Sequence, residues 1–137
     1  MVTQPFIDTN ILLYAGSNAA ADASKKRIAS ALIVELDFCL SSQVVQEYLS
    51  NALGKEALGI TSAQIEALLE SLRDVTVQPV SYPLILEAWK LRNAYRISHW
   101  DAAIIAAAQS LGCEILYSED MNDGQDYGGV RVVNPFK

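Results

Sequence analysis

Short apolar, β-rich runs alternate along this chain with longer stretches of helical periodicity, and no other feature restricts its fold as much. Phe6-Ile7 closes an apolar run that stops at Asp8-Thr9-Asn10, as a buried strand ending in a polar turn does, and a second apolar run, 11–15, follows at once. Residues 19–36 place Ile28, Leu32 and Leu36 at four-residue steps with Lys25, Lys26 and Arg27 on other faces, the pattern of an amphipathic helix. Phe38-Cys39-Leu40 predicts a strand. Ser41 and Ser42 then cap a helix over 43–53 that Gly54 ends. Thr61 with Gln64 three residues on is a capping box, opening a helix through Ile65, Leu68, Leu69 and Leu72. Val75-Thr76-Val77 is strand-like. Ser81 and Pro83 open a helix with the stripe Leu84, Ala88, Leu91 and Tyr95, and Ser98 opens another that Gly112 terminates. Ile115-Leu116-Tyr117 is β-rich, and a Gly/Asn/Asp-rich loop leads to a last strand over 130–133. Such alternation predicts an α/β fold with a mostly parallel sheet covered on both faces, where ligands collect beyond the carboxyl ends of the strands. No repeat or linker appears, and 137 residues fall in the usual range of one domain, so residues 1–137 are expected to form a single domain.

Composition narrows the function classes. Hydrophobic residues make up 51% and charged residues 19%, too apolar for a disordered tail, while every apolar run is broken well before the roughly 20 residues needed to span a bilayer. Met1-Val2-Thr3-Gln4-Pro5 lacks the basic flank and apolar core of an export signal. Cys39 and Cys113 sit in apolar runs without metal-ligand spacing, so reduced core thiols in a cytoplasm are expected. The net charge of −6 argues against broad electrostatic wrapping of nucleic acid. A nucleic-acid role would need cations from elsewhere, either a metal ion held by clustered carboxylates or a basic partner protein.

The acids gain meaning from the predicted sheet. Asp8 ends the first strand and Asp120 follows a later one, Glu47 lies inside the helix after the second strand, and Asp101 stands in the first turn of another helix. In a parallel α/β fold all four converge on one end. Carboxylates so close repel one another unless a cation neutralises them, and a hard divalent ion with oxygen ligands, Mg²⁺ or Mn²⁺, fits. Such an ion lowers the pKa of a bound water and orients it for in-line attack at phosphorus, which points to phosphodiester hydrolysis. Taken singly, each acid has a plain structural explanation: Asp8 as a turn residue, Asp101 as a capping acid after Ser98, Glu47 as a solvated helix acid with Asn51 one turn on, and Asp120 as one of several loop acids with Glu119, Asp123 and Asp126. Only the joint pattern is informative.

That pattern resembles the PIN domain. The resemblance rests on Phe6-Ile7-Asp8-Thr9-Asn10-Ile11-Leu12-Leu13-Tyr14, on Ser41 through Tyr48 with Asn51, on Ser98-His99-Trp100-Asp101-Ala102-Ala103-Ile104-Ile105-Ala106-Ala107-Ala108, and on Leu116-Tyr117-Ser118-Glu119-Asp120-Met121. It extends along nearly the whole chain and is similar above all to the VapC-type toxins of bacterial toxin–antitoxin pairs, which often close with a segment like Gly129-Val130-Arg131-Val132-Val133-Asn134-Pro135-Phe136. The resemblance implies a three-layer α/β/α fold and a Mg²⁺- or Mn²⁺-dependent endoribonuclease. By position it makes Asp8, Glu47, Asp101 and Asp120 the acidic quartet, with Asp8 and Asp101 as principal metal ligands and Glu47 and Asp120 completing the pocket and positioning the attacking water. Asn10 and Ser118 would brace the site, and Asp123 is a reserve acid. It further implies an RNA substrate, tRNA being the family's suggestion, a cognate antitoxin that inhibits the nuclease through an arginine in the pocket, and a homodimer.

Other features carry less. His99 is expected to hydrogen-bond locally, since a metal mechanism needs no histidine. Lys25-Lys26-Arg27 reads as a solvated helix face, Arg92 and Arg96 as a pair one helical turn apart within reach of an RNA phosphate or simply surface, and Trp89 with Tyr95 as core or subunit contact. Gly54-Lys55 lacks the upstream glycine of a phosphate loop. Two rivals remain at this level: a haloacid-dehalogenase-like phosphatase using Asp8 as nucleophile, which wants an Asp where Asn10 stands, and a PIN-like fold kept as a non-catalytic RNA-binding or adaptor module.

Overall fold

The computed structural model describes residues 3–137; Met1 and Val2, on which part of the export argument rests, lie outside them. Six strands form one sheet in the order β3-β2-β1-β4-β6-β5, where β1 is Phe6–Ile7, β2 Cys39–Ser41, β3 Thr76–Gln78, β4 Ile115–Tyr117, β5 Asp126–Tyr127 and β6 Val130–Val133. All pairings are parallel except β5 with β6. Central parallel strands are covered on both faces and therefore read as continuous apolar runs. Phe6, Ile7, Leu40, Leu116 and Val132 are all fully buried.

Among the described residues, six α-helices complete the three-layer α/β/α architecture: α1 Thr9–Gly16, α2 Ala23–Glu35, α3 Ser42–Gly54, α4 Ser62–Ser71, α5 Tyr82–Tyr95 and α6 His99–Ser110. Their starts are set locally. The side chains of Ser41, Thr61, Ser81 and Ser98 each accept a backbone N–H three residues on, and Thr61 with Gln64 closes the expected capping box. Helix α6 packs on α5 and touches both β2 and β6, so it lies across the middle of the sheet. Its buried Ala102, Ala106, Ala107 and Ala108 permit that close approach.

Three local expectations are corrected. The segment 19–36 begins with a 3-10 turn, Ala20–Asp22, and the buried residue of α2 is Ala29, whereas Ile28 of the expected stripe is exposed. The loop before the last strand contains β5, which folds back on β6 through a tight turn at Gly128 and Gly129. Arg96 is not on a helix with Arg92: it sits in the left-handed region at φ 54°, capping α5 and turning the chain into α6.

In this topology a helix starts at the carboxyl end of the strand before it, and α6, running antiparallel to the strand that follows, also starts at that end. The register pairs Ile7 with Tyr117, which brings Asp8 and Ser118, the next residue on each strand, side by side. Cys39 and Cys113 are free and buried, as expected of core thiols.

Candidate functional site

A cavity of about 370 Å³ opens at the carboxyl ends of the strands, and Asp8, Glu47, Asp101 and Asp120 all line it. Asp8 follows β1 and caps α1, taking the Thr9 amide on Oδ1 at 2.7 Å and the Ser118 hydroxyl on Oδ2 at 2.7 Å. Both the turn role and the cavity role read from the sequence therefore fall on one side chain. Asp8 is only 3% exposed. Burial pushes its carboxyl up most strongly, the Ser118 and Thr9 hydrogen bonds oppose this, the neighbouring charges of Asp120 and Glu47 add to the rise, and together they take it from 3.8 to about 7.

Glu47 reaches the cavity from the second turn of α3. Its Oε2 accepts the Thr9 hydroxyl at 3.0 Å and its Oε1 accepts the Gln43 amide at 2.8 Å. Asn51 lines the cavity too, but its amide donates to the Glu47 backbone carbonyl at 2.7 Å, bracing the helix beneath the acid. Asp101 stands in the first turn of α6, where Ser98 caps the helix by accepting the Asp101 N–H at 3.1 Å. Burial raises the Asp101 carboxyl above its ordinary value, the Ser98 hydroxyl opposes this, and the charges of Asp120 and Glu47 add to the rise.

Asp120 is exposed at the cavity mouth. The Asn10 amide donates to its Oδ2 at 3.0 Å and lies 3.4 Å from the Ser118 hydroxyl and 3.5 Å from Asp8 Oδ2, so Asn10 bridges the deepest acid and the outermost. The Asp120 backbone N–H donates to the Ser118 hydroxyl at 3.1 Å. Asp123, the reserve acid, faces elsewhere: its Oδ1 takes the Asn134 N–H at 2.8 Å, and it does not line the cavity. Among the described residues, no three His, Cys, Asp or Glu side chains stand close enough together to hold a metal ion between them. The four carboxylates instead form the walls of an open, oxygen-rich site. The N-termini of α1 and α6 both point into it, which eases the cost of gathering negative charge there.

Several side chains of the site were not singled out from the sequence. Thr9 and Gln43 orient Glu47, and Lys55 and Trp100 line the cavity. Lys25, expected on a solvated face, pairs with Glu119 next to Asp120, donates to the Tyr14 hydroxyl at 3.3 Å and stands over the rings of Tyr14 and Phe136. Lys26 donates to Asn18. His99 is exposed, lies outside the cavity lining and packs edge-to-face against Trp100. Trp89 is exposed with Arg92 over its ring, while Tyr95 packs against Tyr127.

The chain matches the PIN domain family over residues 6–122. No curated protein matches it in sequence. Among solved structures it is similar to a toxin–antitoxin complex from Klebsiella pneumoniae, with 22% identity, a TM-score of 0.70 and coverage of 96% of this chain and 97% of that one. It is also similar to Mycobacterium tuberculosis VapC20, described as a sarcin-ricin loop cleaving toxin, at 22% identity and TM-score 0.62 over 93% of this chain and 98% of that one. A third likeness is to DNA-bound VapBC from Salmonella typhimurium, at 15% identity and TM-score 0.63 over 96% and 97% of the two chains. At these identities the structural likeness speaks for the fold.

Proposed function

The chain belongs to the PIN-domain family, and from that footing we propose that it is a metal-dependent endoribonuclease, the toxin of a toxin–antitoxin pair, folded as one such domain and acting in the cytoplasm. The observation that carries the proposal is the meeting of four carboxylates from distant parts of the chain around one cavity, with the most buried of them raised to about 7. An acid so placed is stabilised by a bound cation, and an all-carboxylate donor set suits Mg²⁺ or Mn²⁺. Mg²⁺ keeps several of its waters, so an open site with one or two direct ligands fits it better than a closed cage. Asp8 and Asp101 would hold the ion. When bound, it supplies charge neutralisation at the scissile phosphate and a more acidic water.

The chain's own residues do the rest. The Thr9 amide and Ser118 hydroxyl fix both oxygens of Asp8, leaving its remaining lone pairs toward the cavity. Thr9 and Gln43 hold Glu47, and Asn10 holds Asp120, so that these two acids accept the hydrogens of the attacking water and orient its oxygen toward phosphorus. Asn10 also weighs against the phosphatase alternative, because its amide is occupied in bridging Asp8 and Asp120 rather than leaving room for a second catalytic acid. The toxin assignment, with a cognate antitoxin and a homodimer, draws support from the Klebsiella, Mycobacterium and Salmonella likenesses.

The test is incubation of the purified chain with structured RNA, including a sarcin-ricin loop hairpin and tRNA, with Mn²⁺ or EDTA, repeated with Asp8→Asn. Cleavage that requires both the metal and Asp8 is expected. RNA binding without cleavage would support the adaptor reading, and phosphate release from small esters would support the phosphatase.

A further inference from the structure

Of the large apolar side chains that the described residues leave exposed, Trp100 alone lines the acid cavity. It is 64% exposed and immediately precedes Asp101, so the Ser98 cap that fixes the acid also fixes the backbone beneath the indole. Its carbonyl accepts the Gln43 amide at 3.2 Å, and the same amide donates to Glu47 at 2.8 Å, tying Trp100 to a second acid of the cavity. The His99 ring meets the indole edge-to-face at 5.0 Å between centroids, which props the ring without covering it. The backbone beneath the ring is held, one edge of the ring meets His99, and most of the indole surface is exposed.

We propose that Trp100 is the stacking platform for an RNA base next to the scissile phosphate, an assignment that rests on the nuclease reading above. An acidic protein has little general attraction for a polyanion, and its hold on RNA must come from local contacts. Base–aromatic stacking is such a contact, and it favours unpaired nucleotides whose faces are free. Lys55 lines the same cavity and offers an ammonium to a phosphate adjoining the stacked base.

The chain has two tryptophans, so Trp89→Phe leaves Trp100 as its only indole. In that background with Asp8→Asn to prevent cleavage, titration with an RNA hairpin carrying an unpaired loop is expected to quench the indole emission to saturation. In the otherwise unaltered chain, Trp100→Ala is expected to raise KM about tenfold with kcat changed far less, and Trp100→Phe to restore most of the loss. Emission that stays constant while RNA binds, or a Trp100→Ala chain with the parent's KM, overturns the stacking role and leaves the nuclease reading standing. A parent chain that neither binds nor cuts RNA overturns both. Quenching by a co-expressed partner protein but not by RNA assigns the ring to that partner and overturns the proposal.

Discussion

The amide of Asn10 donates to the carboxylate of Asp120 at 3.0 Å, joining residues 110 positions apart. The same nitrogen reaches toward Asp8 and Ser118, so one neutral side chain spaces the negative groups of the site. Replacing Asn10 with Ala is expected to lower metal affinity and RNA cleavage by about 10–100-fold, the usual cost of losing a group that orients a ligand. Calorimetric titration with Mn²⁺ and cleavage rates check this. Asn10→Asp, which adds a further carboxylate, is expected to weaken RNA cleavage at least as much.

Asp8 ties stability to pH. The unfolded chain titrates this carboxyl near 3.8 and the folded chain near 7, so over that interval the folded state holds a proton that the unfolded state has released. Its contribution is therefore fully present below the lower value and lost as the pH rises through the upper one. With EDTA present, Asp8→Asn is expected to be more stable than the parent, by about 2–4 kcal/mol once the acid is ionised in both states and by progressively less toward low pH. Thermal melts of the two chains across this range test it, and a constant difference between them would contradict it.

Lys25 latches the segment that carries Asp120, through Glu119 and the Tyr14 hydroxyl. Because the ammonium is accessible to solvent, Lys25→Ala is expected to leave the melting temperature nearly unchanged. Its effect should appear in function, as a several-fold fall in cleavage and faster amide exchange at residues 119–121.

Those features were legible from the sequence in proportion to how local they are. The caps at Ser41, Thr61, Ser81 and Ser98 follow from side chains acting within one helical turn, and their positions could be read directly. The four acids could be placed because a parallel sheet fixes which strand ends share a side, and the register of β1 with β4 does bring Asp8 beside Ser118. Asp123 and Asp120 could not be separated by composition, since only the pairing of the last strands decides which faces Asn134 and which the cavity. Lys25 meets Glu119 from 94 residues away, so the charge run alone suggested a solvated face. The two-residue β5 is too short for alternation to reveal, and the left-handed Arg96 follows from the tight turn between α5 and α6.

The β5–β6 turn offers a check on the fold that is independent of the site. Gly128 has φ 64°, and a Cβ there would lie 2.5 Å from Gln109 Nε2, the nitrogen that donates to the Gly128 carbonyl at 2.9 Å. Gly128→Ala is expected to cost about 1–2 kcal/mol in denaturant unfolding. RNA cleavage by the folded fraction should persist.

The placement of β4 beside β1 also has a temporal consequence. Asp8 leaves the ribosome 110 residues ahead of Ser118, whose hydroxyl, with the nearby fourth acid Asp120, completes its surroundings. The cavity therefore stays incomplete on a nascent chain until β4 has emerged and docked beside β1, so its four acids come together only after most of this fold has been made.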